Sequence, residues 1–476
     1  MLTADVNVFT PQTLTWLEAI LHERFGHHFS LTQHDKQLTM RLSDAAGAVL
    51  FDALIPAFHQ PGSDAPCSQW DAASQGYTAA LGLPLPAPGV ATLPAQLIEP
   101  TALGHVVHYD ILGLSYWMLA RLEEVNPPAS VLDNHGRFPA TASHAFKHGY
   151  LERPVVDEWL HILGQVVQKT WPTLQLARHQ FSMKVSHDVD IPSRYAFRSA
   201  AGIMRAMAGD LLNRGDLKSA LLAPWVRLHS ETALHPADPA NTFDWIMDMS
   251  ERHGLKSAFY FICGRTDPTK DADYEPEHPA IRTLMRRIHA RGHEIGLHPS
   301  YGSYQTPSII RQEANRLRQI AGEEGIEQAE WGGRMHYLRW EYPTTLRAWV
   351  NSGMTYDSTL GYPETPGFRC GTCTEYQAFD PIAQQAFNLR LRPLVAMDVS
   401  VIADEYLGMG RSLEALTVFK RMIDACKAVN GTFSLLWHNS QLLTLADKDL
   451  FCSTLDEACP ALPKRGMSRA LTSTAE

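Results

Sequence analysis

No run of eighteen consecutive apolar residues occurs in this chain, and its opening MLTADVNVFTPQTL lacks the basic segment and continuous apolar stretch of a signal peptide. Both absences predict a cytoplasmic protein with no membrane span. Basic residues are not in excess either: 41 Lys and Arg face 51 Asp and Glu, a formal charge of −10. That balance excludes a broad cationic surface for phosphate backbones, and with it a nucleic-acid partner. Cysteine is sparse and scattered, at 67, 263, 370, 373, 426, 452 and 459. An odd set in a long chain reads as reduced thiols, not as a disulfide framework. Cys370 and Cys373 form a CxxC, but no second CxxC completes a four-thiolate zinc site, so they read as core or pocket cysteines.

What is present is an ordinary globular composition, 45% hydrophobic and 19% charged over 476 residues, enough for two or three domains. Residues 1–175 mix an amphipathic run TLTWLEAILHERFG, alternating stretches, a loop rich in Pro, Gly and Ala from Gln60 to Pro100, and the helical YDILGLSYWMLARLEEV. They predict a smaller α+β domain. Glu123 and Glu124 at a helix end, and Arg137 in DNHGRFPA, read as a solvated terminus and a turn. Residues 176–445 are regular, with an insertion at about 191–240. Seven apolar runs (FSMKVSH, SAFYFICG, HEIGLH, Trp331–His336, MTYDS, LRPLVAMD, TFSLLWH) alternate with helical segments, which predicts an α/β fold with a parallel sheet in a closed or nearly closed barrel. Residues 446–476 read as a C-terminal tail, polar and disordered from about Pro463.

The polar residues fall at the ends of the expected strands: Asp188 and Asp190, His298, Arg334 and His336, Asp398, His438. In α/β barrels those ends converge on one site, so residues distant in sequence meet there. Side-chain alternation places Asp188 and Asp190 on one face and His187 on the other. It makes His298 a ligand candidate, leaves His293 structural, and gives Arg334 and His336 a shared face. Carboxylates and imidazoles in one cavity point to a metal-assisted hydrolase. Tyr301, Tyr304, Tyr337, Trp340 and Trp437 suit sugar stacking or a core equally.

These residues carry a resemblance. HDVD at 187–190, HPSYG at 298–302, RMHY at 334–337, Asp398 in AMDVS and LWH at 436–438 resemble, in order, the five motifs of the polysaccharide deacetylase superfamily (NodB-type, carbohydrate esterase family 4-like). The chain is similar to a subgroup with an extra N-terminal domain found in surface-polysaccharide biosynthesis. The resemblance implies a distorted (β/α)7-type barrel holding one divalent metal ion, zinc by default, with cobalt, nickel or iron also compatible. It implies Asp188 as general base, Asp190 and His298 as ligands, Arg334 (Arg339 competing) to orient Asp188, and His438 as general acid with Asp398 as partner. The second motif ends in Gly302 where the family has a His, so His336 is the expected third ligand. STLGYPETPGFRCGTC, 358–373, is similar to a substrate loop of that subgroup. The implied activity is removal of an N-acyl group, N-acetyl first, from an amino sugar that is nucleotide- or carrier-linked or part of a glycan. Other amide hydrolysis (N-deformylation, cyclic amide opening) and a silent glycan-binding or assembly protein remain as alternatives.

Overall fold

The computed structural model describes residues 8–461; the stretch from Pro463 read as disordered lies outside the described residues. The chain forms a mixed α/β fold around a nine-stranded sheet: β1 (Ser182–Val189), β2 (Ser257–Ile262), β3 (Glu294–His298), β4 (Gly332–Gly333), β5 (Tyr356–Asp357), β6 (Tyr376–Asp380), β7 (Gln385–Leu391), β8 (Ala396–Met397) and β9 (Thr432–Leu436). The order is β6-β7-β5-β4-β3-β2-β1-β9-β8. Every pair is parallel except β6 with β7. The burial of every residue of β2, and of all of β3 but Glu294, fits strands covered on both faces.

The hydrogen-bonded sheet does not close. β7 pairs with β5 through Leu391, and Ala396 of β8 already pairs with Leu435 of β9. Pro393 lies between and has no N–H to give. Around it Leu394 N donates to the Leu360 carbonyl (3.0 Å) and Val395 N to that of Ser434 (3.1 Å). The expected sixth strand is therefore broken in two, and in place of the expected closed barrel the described strands form an open sheet whose edges are β6 and β8. The fourth expected strand is also shorter, ending at Gly333. A Cβ there would stand 1.8 Å from the Leu297 carbonyl oxygen, so only glycine lets the backbone approach β3 this closely. The chain then turns, with Tyr337 and Leu338 both at positive φ (60° and 55°), a strained conformation for bulky residues.

Residues 8–175 contain a second sheet, in the order Phe29–His34, Gln37–Leu42, Ala48–Phe51, Gly104–Val107, Ile98–Thr101, with helices Pro11–Phe25, Ile111–Leu119 and Val155–Thr170. The apolar core runs unbroken across the expected boundary at 175. Trp16 stacks on Phe379 of β6 at 4.9 Å between ring centres and donates to the Gln377 carbonyl (2.9 Å). Glu123 and Glu124 are corrected from a solvated terminus: both are buried, and Arg121 and Arg369 bind them. The loop 358–373 brings Pro363 to the cavity wall and also joins the two regions, with Arg369 on Glu124 and Thr372 Oγ1 donating to Asp157 (2.8 Å). The tail expected from 446 begins instead with helix Leu445–Ala458, capped by Thr444, because Leu450, Phe451 and Leu455 share a buried face. Phe451 packs edge-on against Trp437.

Candidate metal centre

Strand β1 sits between β9 and β2, and its alternation sends Ser186, Asp188 and Asp190 one way. His187 goes the other way, stacked on Phe259 and held by the Trp437 carbonyl at 2.6 Å, and burial pushes its ring down to about 3. His293 is likewise structural, accepting from Ser257 N (3.1 Å). Arg334 is fully buried. Its Nη1 donates to Asp188 Oδ1 (2.8 Å), Nη2 to Ser186 Oγ (2.8 Å), and Nε to the Ser358 carbonyl (3.0 Å). Fork geometry with every arm engaged fixes the Asp188 carboxylate in one orientation. Arg339 does not compete: it binds the carbonyls of His135 and Tyr301 and lies over the Tyr301 and Tyr304 rings.

Asp190, His298 and His336 come together, one ligand atom of each within 4.8 Å of the others. Asp190 Oδ1 is buried without a hydrogen bond, 3.3 Å from His298 Nε2 and 3.7 Å from His336 Nε2. His298 Nδ1 lies 2.6 Å from the Arg334 carbonyl. A carbonyl only accepts, so the ring proton of the neutral form sits on Nδ1 and Nε2 turns a lone pair toward Asp190. His336 Nδ1 is 3.1 Å from Asp271 Oδ1, which orients its Nε2 in the same direction. Lone pairs converging on an orphaned carboxylate oxygen need a positive charge between them, and nitrogen and oxygen donors of this kind fit a divalent transition metal. The electrostatics agree. Burial would lower the His298 pKa, but Asp188 and Asp190 outweigh it and raise it.

On the opposite side, Asp398 accepts both the backbone N–H (2.8 Å) and Nδ1 (2.8 Å) of His438, whose Nε2 lies 3.7 Å from Asp190 Oδ2. Burial works against the charged ring, yet Asp398, with Asp190 and Asp188, pushes it up to about 10. The ring faces a cavity of about 600 Å³ lined by Asp188, Asp190, His298, His336 and His438.

Residues 3–172 match the model of a family of unknown function (DUF7033). No curated protein matches the chain. Among solved structures it is similar to one assigned as a polysaccharide deacetylase from Mycobacterium smegmatis, at 15% identity and TM-score 0.38, over 59% of this chain and 84% of that one. An allantoinase, Puue, matches at 11% and 0.36 over 59% and 84%. One assigned as a polysaccharide deacetylase from Pseudomonas aeruginosa PAO1 matches at 12% and 0.35 over 58% and 84%.

All seven site residues singled out in the sequence meet in this region, although His336 arrives on the turn His336–Leu338 and not at a strand end. Parity along a strand therefore does not explain its place in the cavity wall, which the fully buried Arg334 does not line. Gly302 instead donates its N–H to Thr266 Oγ1 (2.7 Å). Of the five aromatics, Tyr337 lines the cavity, while Trp437 and Trp340 are buried, the latter on Asp357. Cys370 and Cys373 are buried and free, as expected.

Two positions at the candidate site were missed. Asp271 gave no signal beyond being one carboxylate in an acidic loop, yet it takes N–H groups from Tyr301 (2.7 Å) and Asp267 (2.8 Å) and orients His336. Burial would raise its pKa, but these bonds lower it. Arg137, read as part of a turn, is buried in the cavity wall with Nη1 on the Tyr337 carbonyl (2.9 Å) and Nε on Asp133 (2.7 Å). Asp271→Ala should weaken zinc binding by about 10–100-fold, since outer partners of ligating imidazoles contribute that much. Competition titration with a chelating dye checks this, and an unchanged affinity would remove Asp271 from the site.

Proposed function

We propose that this protein is a metal-dependent hydrolase that removes an N-acyl group, most readily N-acetyl, from an amino sugar used in surface-polysaccharide or O-antigen biosynthesis. The observation that carries the reading is the orphaned Asp190 Oδ1 facing His298 and His336, with the carboxylate held by Arg334 on one side and the imidazole held by Asp398 on the other. Asp190, His298 and His336 would hold one divalent ion, zinc by default. Such an ion supplies Lewis acidity toward a carbonyl oxygen and a water molecule.

The chain's own groups do the rest. Asp188, its Oδ1 engaged by Arg334, is left with Oδ2 to take a proton from the attacking water. Arg334 keeps that carboxylate aimed without sharing it with solvent. His438, kept charged by Asp398, gives its Nε2 proton to the departing amine. Arg137 fixes the Tyr337 peptide, whose strained turn forms part of the cavity wall.

The test is release of acetate and free amine from N-acetylated nucleotide sugars, carrier-linked sugars and glycan oligomers, with zinc, cobalt, nickel or iron supplied. His438→Ala should slow turnover by about 10²-fold or more while leaving metal content unchanged, as expected for loss of a proton donor. Turnover equal to the native protein would remove His438 from the reaction. Metal-free protein with full activity would end the proposal.

A further inference from the structure

The insertion leading from β1 to β2 forms a hairpin of two helices, Ala200–Arg214 and Leu217–Leu228. They pack on each other through a cluster of their own, Tyr195, Ile203, Ala206, Ala223 and Val226, separate from the main core. The opposite face is apolar and uncovered by any described residue. Leu221 is 69% exposed, Trp225 55% and Leu228 75%, and on the first helix Met204 is 65% exposed and Leu212 84%. At about 100° per residue, Leu217, Leu221, Pro224, Trp225 and Leu228 fall in one sector of roughly 100°, with Lys218 and Arg227 outside it on opposite sides.

Charge decides what would cover this ridge. LKSALLAPWVRL contains no carboxylate. The hairpin's two acids are already engaged: Asp210 is buried against Arg194 (2.5 Å) and Tyr195 (2.6 Å), and Asp216 caps the second helix through Ser219 N (3.0 Å). Lys218, Arg227 and Arg205 remain exposed around the apolar stripe, on a chain whose overall charge is −10. A second copy would bring two cationic rims together. An anionic bilayer offers apolar depth for the Leu and Trp side chains and negative headgroups for the rims, the arrangement of a helix lying in the membrane interface. No described helix is long and apolar enough to cross a membrane.

We propose that the hairpin 200–228 docks the protein on an anionic lipid surface, with the Leu217–Leu228 helix lying in the interface. Ile191 and Phe197, on the segment that enters the hairpin, line the cavity, so docking would bring the candidate metal centre close to the bilayer. The docking itself does not depend on the catalytic reading.

Flotation of the full-length protein with phosphatidylcholine vesicles, with and without phosphatidylglycerol, tests it. Binding is expected only with phosphatidylglycerol, weakening as salt is raised, and falling about tenfold or more in both Leu221→Gln/Trp225→Ser and Lys218→Glu/Arg227→Glu. These side chains are exposed, so the melting midpoint should not move. Brominated acyl chains should quench the native fluorescence by an amount that Trp225→Phe abolishes. No binding to any vesicle, or equal binding by both double variants, overturns the proposal. So does a dimer, seen by light scattering without vesicle binding, that Leu221→Gln/Trp225→Ser converts to monomer; it would assign the ridge to a second copy.

Discussion

Asp190→Ala is expected to abolish retention of the divalent ion and to lower amide hydrolysis by on the order of 10³-fold or more, since charge stabilisation by such an ion contributes several kcal/mol. The fold should be untouched. Asp190 Oδ1 makes no hydrogen bond, and the nearest groups, His298 and His336, are anchored from behind by the Arg334 carbonyl and by Asp271. Removing the carboxylate therefore strands no donor in the backbone or the core. Inductively coupled plasma analysis of protein dialysed against zinc, with far- and near-UV circular dichroism as the fold control, checks both halves. A variant that still binds one equivalent of zinc at native affinity would sink the assignment of Asp190 as a ligand.

Glu124→Ala is expected to cost about 3–5 kcal/mol of stability, the range for removing one partner of a buried ion cluster. Glu124 Oε1 accepts from Arg121 Nη2 (2.6 Å) and Arg369 Nε (2.9 Å), and Oε2 from Arg369 Nη2 (2.6 Å), all three residues being buried. Deleting the carboxylate leaves two guanidinium groups out of water with Glu123 as their remaining acid. Burial pushes the Glu124 carboxyl up, but Arg121 and Arg369 bring it down to about 2. A depressed folded-state pKa contributes stability that is complete above the unfolded value of about 4.3 and is lost as pH falls toward 2. Urea titrations should therefore show the gap between native and variant narrowing over that window. A difference below about 1 kcal/mol at neutral pH would mean the cluster contributes no more than a surface pair does.

The sequence announced the site better than the frame around it. Asp188 and Asp190 were legible because β1 is long and regular, so alternation fixed which side chains share a cavity. His336 was legible only as a polar residue in the right region, because two glycines end β4 and a left-handed turn replaces the strand that parity assumed. Glu123 and Glu124 were misread because a charged pair after a helix has the same local pattern whether solvated or buried. What decides it is Arg369, 245 positions away. The broken sixth strand follows from Pro393, but the pairing of its two pieces, one with β5 and the other with β9, is a property of the whole sheet, not of any local run. Asp271 had no periodic neighbour to mark it, being held by backbone N–H groups in a loop.

The seam between residues 8–175 and the large sheet makes the molecule indivisible in practice. Trp16 on Phe379, Glu124 on Arg369, and Arg137 on the Tyr337 carbonyl are shared across it. A shortened fragment carrying only 176–461 would bare a tryptophan-sized apolar socket, leave a buried arginine without its counter-charge and lose part of the cavity wall. Grafting this larger half onto another N-terminal segment would meet the same obstacle. Exchange between relatives has to move both halves together.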